Sequence, residues 1–160
     1  MRWLRHLFAA PARVRYPDPV LDRIGQAIAA GERLHGGQLV FAVEASLPLA
    51  AVLRGQDAAA RAAEVFAQLR VWDTADNNGV LLYLLLADHA IEIVADRGLH
   101  GRVAPQQWQE VCAELGRQLR QGPAEAALVA AVERISALLA THFPGGGEGG
   151  EGLPDRPVRL

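Results

Sequence analysis

Eight apolar residues run unbroken from Val80 to Ala87, reading Val-Leu-Leu-Tyr-Leu-Leu-Leu-Ala. The polar stretch Asp73-Thr-Ala-Asp-Asn-Asn-Gly79 precedes them, and Asp88-His89 follows. The run is far shorter than the roughly 20 apolar residues a membrane span needs, and no other stretch of the chain comes closer. A continuous apolar run bounded by turn residues reads instead as a strand buried on both faces. Such a strand needs layers above and below it, so the chain must supply helices for both sides of a sheet.

The flanking sequence supplies them. Asp18-Pro19 reads as an N-cap with proline at the first helical position, and Leu21, Ile24, Ala27 and Ile28 keep helical spacing. His35-Gly36-Gly37 closes this helix. Residues 38–44 form a short apolar strand. Residues 56–71 are rich in alanine and place Ala59, Ala62, Ala63, Phe66 and Leu69 on one helical face. Residues 79–87 then form the second strand. A strand, helix and strand of this length make a right-handed crossover with parallel strands. Ile91–Ala95 is a third strand, reached by so short a break that an antiparallel hairpin follows. Pro105 opens a helix with Trp108, Val111, Cys112, Leu115 and Leu119 inward, and Gly122-Pro123 ends it. Leu128, Ala131, Val132, Ile135 and Leu139 mark the last helix. The predicted fold is α/β, a three-layer α/β/α sandwich. Its small mixed sheet holds a βαβ unit followed by a β-hairpin, with helices on both faces.

Two segments flank this core of residues 17–143. Residues 1–16 hold four arginines and no acid, with Trp3, Leu4, Leu7 and Phe8 on one helical face. This basic amphipathic segment suits a membrane surface or a partner helix, but a short helix packed on its own domain is the stronger reading. Residues 144–160, beginning PGGGEGGEG, read as a flexible glycine-rich tail. With 16 basic and 18 acidic residues the net charge is −2, which gives no global case for nucleic acid. There is no lysine, which excludes a Walker lysine, a Schiff base and a lysine general base. The N-terminal apolar residues are interrupted by Arg5 and His6, so no signal sequence is expected. The expected location is cytoplasmic, or peripheral to the membrane.

The hairpin sharpens the reading of the polar residues. A turn centred between Asp88 and His89 sets Gly79 opposite Gly98, Val80 opposite Arg97 and Leu81 opposite Asp96. The 73–79 loop and Asp96-Arg97-Gly98 then meet at one rim of the sheet. The first helix ends nearby with Glu32 and His35, while Glu44 and Asp88 lie at the opposite rim. Carboxylates and amides are hard oxygen donors suited to Ca²⁺ or Mg²⁺. Asp76, Asn78, Asp96 and Glu32 are therefore the candidate metal ligands. Asn and Asp before Gly are also ordinary turn formers, so a plain turn stands beside the cation site. An EF-hand is excluded: with Gly79 at loop position 6, position 1 is Thr74 and position 12 is Leu85.

Other chemistries find little support. Cys112 and Arg117 fall one residue short of Cys-x₅-Arg and both lie within a predicted helix, so Cys112 reads as core. Ser46 and Ser136 sit outside any GxSxG. His6 stands alone, and His35, His89, His100 and His142 lack HExxH spacing and read as surface or loop residues.

Several motifs together resemble the TPM domain family: Glu32-Arg-Leu-His-Gly-Gly37, Phe41-Ala-Val-Glu44, Asn78-Gly-Val-Leu-Leu82 and Ile93-Val-Ala-Asp-Arg-Gly-Leu99. Trp108 and the closing Leu153-Pro-Asp-Arg-Pro-Val158 extend the likeness. The resemblance implies an α/β/α sandwich. Members include thylakoid-lumen proteins linked to photosystem repair, for which acid phosphatase activity and divalent-metal binding have been proposed. Many bacterial members carry a signal peptide and a membrane anchor; neither is expected here. Many also show Gly-x-Gly after the third strand, where Asp96-Arg97-Gly98 adds a carboxylate.

Two functions follow as expectations. One is a divalent-cation-binding or adaptor domain linked to membrane-protein maintenance or stress, with a membrane-associated protein as partner. The other is a metal-assisted phosphatase, in which Asp96 and Arg97 are the catalytic candidates and Arg97 or Arg102 stabilises developing charge.

Overall fold

The computed structural model describes residues 1–146 and 157–160. Its sheet is built on the two apolar strands. β1 (Gln38–Glu44) and β2 (Gly79–Leu85) run parallel, from Gln38 beside Gly79 to Glu44 beside Leu85. β3 (Ala90–Ala95) pairs antiparallel with β2. With β4 (Val158–Arg159) the strand order is β3-β2-β1-β4, a mixed sheet.

Among the described residues seven helices accompany it: α1 (Arg2–Leu7), α2 (Ala12–Arg15), α3 (Asp18–Glu32), α4 (Leu49–Leu53), α5 (Ala58–Gln68), α6 (Pro105–Gln121) and α7 (Ala124–His142). Strand side chains alternate between the two faces. Leu39, Phe41, Val43, Val80, Leu82 and Leu84 join one core with residues of α3, α6 and α7. Val40, Ala42, Leu81, Tyr83 and Leu85 join a second core with Ala51 and Val52 of α4 and Ala58, Ala62 and Val65 of α5. The predicted sandwich is therefore present, and β2 is buried along its whole length.

Local departures have local causes. The hairpin turns one residue earlier than expected, because Leu86–Asp88 winds into a 3₁₀ turn and His89 takes a left-handed φ of 52°. Leu85 thus pairs with Ala90 and Val80 with Ala95, so Gly79 faces Asp96 rather than Gly98. The pairing shifts by two residues, which equals the side-chain period, so every residue keeps its face. Helix α3 starts at Asp18 itself, with Pro17 in the cap position. On α5 the buried stripe is Ala58, Ala62 and Val65, while Ala59 and Ala63 are exposed. Helix α4, after Pro48, was not foreseen.

Helix α1 packs on its own domain, the stronger of its two readings, and the last residues of the chain join the sheet. Helix α1 is held by its polar side: Arg2 and His6 both bond the Asp88 carboxylate, at 2.7 and 3.0 Å. Residues 147–156 of the expected tail lie outside the described residues. Beyond them, Val158–Arg159 forms β4, parallel to β1 against Ala42 and Val43. The Leu160 amide donates to the Val43 carbonyl at 2.9 Å, and Arg159 bonds the Tyr16 carbonyl and Asp18. The end of the chain therefore completes the sheet, because β1 would otherwise present an unpaired edge.

Candidate functional site

The rim at the start of β1 and β2 is assembled mostly by backbone. Asn77 adopts a left-handed φ of 50°, a conformation its short amide tolerates. That reversal turns the Asn77 carbonyl toward the amide of Gly98, which donates to it at 2.8 Å. The Asp96 amide donates to the Gly79 carbonyl at 2.9 Å, and Arg97 Nε donates to Asn77 Oδ1 at 3.1 Å. The 73–79 loop and residues 96–98 do meet, as the hairpin argument expected.

The predicted ligands divide into two kinds. Asn78 is buried, and its side-chain amide donates to the Gly36 carbonyl at 3.0 Å while Thr74 Oγ1 receives its backbone N–H. Its role is to tie the loop to the start of β1. Glu32 Oε1 accepts the Leu39 amide at 2.9 Å, tying the end of α3 to the same strand. Asp76 is exposed. Asp96 Oδ1 accepts the Arg97 amide at 2.7 Å, but its Oδ2 is buried without a hydrogen-bond partner among the described residues. Among the described residues no group of three His, Cys, Asp or Glu stands close enough to hold a metal. Asp76, Asp96 and Glu32 thus share a rim without forming a three-carboxylate centre. Any cation there would rely on Asp96, on backbone carbonyls such as Asp76 O, and on water.

A second buried group lies behind this rim. His35 was expected on the surface and is instead buried, because Gly36 and Gly37 beside it pack against Phe143 and Leu139 at the end of α7. Gly37 N–H donates to His35 Nδ1 at 3.1 Å, so the neutral ring carries its proton on Nε2. Both His35 Nε2 and Ser136 Oγ are buried without a partner among the described residues, and both border Gly31. With its proton on Nε2, His35 cannot accept one from Ser136, so the two do not make a nucleophile and base. Sequence spacing had no means of finding this pair, which is set by helix packing. Burial pushes the His35 imidazole below the ordinary value of 6.5. The unfolded chain then takes up a proton first, so stability present above pH about 6.5 is lost as the pH falls below it. The thermal midpoint is expected to drop between about pH 7 and 5. In NMR, the His35 ring signals should titrate with a midpoint below 6.5.

The opposite rim holds a buried ionic group. Glu44 accepts a two-pronged bond from Arg61, at 2.9 and 3.0 Å, and a third from the Tyr83 hydroxyl at 2.7 Å. Burial and the Glu44 anion together push the Tyr83 hydroxyl well above its ordinary pKa. Nearby, burial tends to raise the Asp88 carboxyl, but Arg2 and His6 outweigh it and hold the group below the usual range. Leu47 N–H donates to His6 Nδ1 at 2.9 Å, which leaves Nε2–H to serve Asp88. These saturated groups are structural. Cys112 is half-buried, and burial pushes its thiol up to about 11, so it is a poor nucleophile at neutral pH.

Comparison with known proteins agrees with this architecture. The solved NMR structure of BA42 protein from the psychrophilic bacterium Bizionia argentinensis superposes with a TM-score of 0.76 at 25% identity, covering 89% of this chain and 93% of that one. No curated protein matches the chain. Residues 19–138 match the TPM domain, which is most of the chain and includes the three long strands and both rims. The chain belongs to the TPM domain family.

Proposed function

We propose that this chain is a non-catalytic TPM binding domain whose rim takes a divalent cation, Ca²⁺ or Mg²⁺, and serves a membrane-associated protein partner. The observation that carries the cation reading is Asp96 Oδ2, a carboxylate oxygen buried at the rim without a partner among the described residues. A buried anionic oxygen with no donor is costly, and a hard cation relieves that cost. One side-chain carboxylate with carbonyls and water makes a weak site, of the roughly millimolar kind. At about ten times its dissociation constant, Ca²⁺ then adds about 1.4 kcal/mol to stability. That raises the thermal midpoint by roughly 3–5 °C. Asp96→Asn keeps the Oδ1 bond to the Arg97 amide and removes the charge, so the rise should vanish. An unchanged midpoint in wild type with millimolar Ca²⁺ and Mg²⁺ defeats the reading.

The alternative is a metal-assisted phosphatase. It is favoured by Arg97, which is exposed beside Asp96 and uses only its Nε on Asn77 among the described residues. Its terminal nitrogens remain to hold a phosphate ester. Metal-dependent hydrolysis of a generic phosphate ester, lost in Asp96→Asn, would replace the binding reading with this one. Absence of turnover removes it.

A further inference from the structure

Helix α1 is mounted inside out. Its inward side carries Arg2 and His6, and His6 is only 5% exposed. Trp3, Leu4, Leu7 and Phe8 fall on the opposite side of the helix; Trp3 and Leu4 are partly exposed, and Leu7 and Phe8 face solvent with 56% and 77% of their surface exposed. A helix that merely packs on its own domain turns its apolar stripe inward. This one spends its polar residues on Asp88 and presents its apolar ones. Helix α1 lies against α4, where Leu49 and Leu53 are exposed as well, Leu53 at 72%. Large apolar side chains gathered at one surface mark a place where something docks.

The charges around the face identify what docks. Arg5 on α1 and Arg54 at the end of α4 are exposed, as are Arg13 and Arg15 on the following α2, and none of the four makes an ion pair among the described residues. Residues 1–16 contain no acid to offset them. Trp, Phe and Leu beside unpaired arginines complement a surface that is apolar below and anionic above. We infer that the α1–α4 face seats on an anionic lipid surface, with Trp3, Leu7 and Phe8 entering the headgroup boundary and the arginines meeting the phosphates. The Asp88 turn holds α1 at one end of β2, and the Asp96 rim lies at the other. Docking therefore leaves that rim turned away from the lipid. The inference stands independently of cation binding.

The full chain sedimented with vesicles tests it. Wild type should bind vesicles containing about one third phosphatidylglycerol, bind pure phosphatidylcholine far less, and release as salt rises. Leu7→Ser with Phe8→Ser should lower binding by at least about tenfold while leaving the thermal midpoint unchanged, since both side chains are exposed. Arg5→Gln with Arg13→Gln should remove the preference for anionic over neutral vesicles without touching the apolar residues. Binding by the serine variant equal to wild type overturns the inference, as does failure of wild type to bind anionic vesicles. A wild-type dimer in solution that the serine variant abolishes also overturns it, because the face would then belong to a second copy of the chain.

Discussion

Replacing Glu44 by alanine is expected to lower stability by about 3–5 kcal/mol. For a chain of this size the thermal midpoint then falls by roughly 10 °C or more. Glu44 is buried on the last position of β1, and three bonds converge on it from two elements. Its removal leaves the Arg61 guanidinium, whose side chain is only 17% exposed, with the more exposed Glu64 at 3.1 Å as its remaining anionic partner, and leaves the buried Tyr83 hydroxyl without its Glu44 acceptor. A partly buried charge that has lost its two-pronged partner and an orphaned hydroxyl cost more than the pair contributed. Replacing both charges, Glu44→Leu with Arg61→Leu, should therefore cost less than Glu44→Ala alone. Urea melts of the three proteins check this; a double variant weaker than the single would show that the attraction, and not the orphaned charge, dominates.

Gly98→Ala is expected to cost about 2–3 kcal/mol and to abolish the response to Ca²⁺. An added Cβ would stand 2.3 Å from the Asp76 carbonyl oxygen and 2.5 Å from that of Asn77. Both obstacles are backbone, so one half of the rim must retreat and the 2.8 Å bond from Gly98 N–H to Asn77 O breaks. The loop and the 96–98 turn then no longer share a surface. Gly116→Ala is the matched control: its Cβ would meet nothing nearer than 3.5 Å on α6, and alanine favours the helix by about 1 kcal/mol. Differential scanning calorimetry with and without Ca²⁺ reads both effects. A Gly98→Ala protein that still gains stability from Ca²⁺ would place the cation elsewhere.

Much of this molecule is written in short-range pattern. Leu128, Ala131, Val132, Ile135 and Leu139 were readable as the buried stripe of α7, since five apolar positions at helical spacing leave one solution. Strand β1 was readable to its ends for a similar reason, lying between Gly37 and a polar Glu44. Helix α5 was less legible because alanines fill most of its surface, and their pattern does not say which of them faces the sheet. The candidate site was half legible. Hairpin topology brought residues 73–79 and 96–98 together, and that survived a register error because the error equalled the strand period. What the side chains do there was not legible: Asn78 and Glu32, candidate ligands by residue type, also bond the backbone groups of Gly36 and Leu39.

By itself, then, the amino-acid sequence determined the layers, the parallel pairing of β1 with β2, the hairpin and the rim where two strand ends meet. Each follows from hydrophobic period, turn chemistry and chain connectivity, which are properties of neighbouring residues. Tertiary structure alone decided the inward polar side of α1, the burial of His35, the coupling of Glu44 to Arg61 and Tyr83, and the pairing of Val158–Arg159 with β1. These depend on groups far apart in the chain, as Arg2 and Asp88 are, 86 residues apart. Burial makes such partners obligatory, because a polar group removed from water must find one, and no local pattern records which residue that will be.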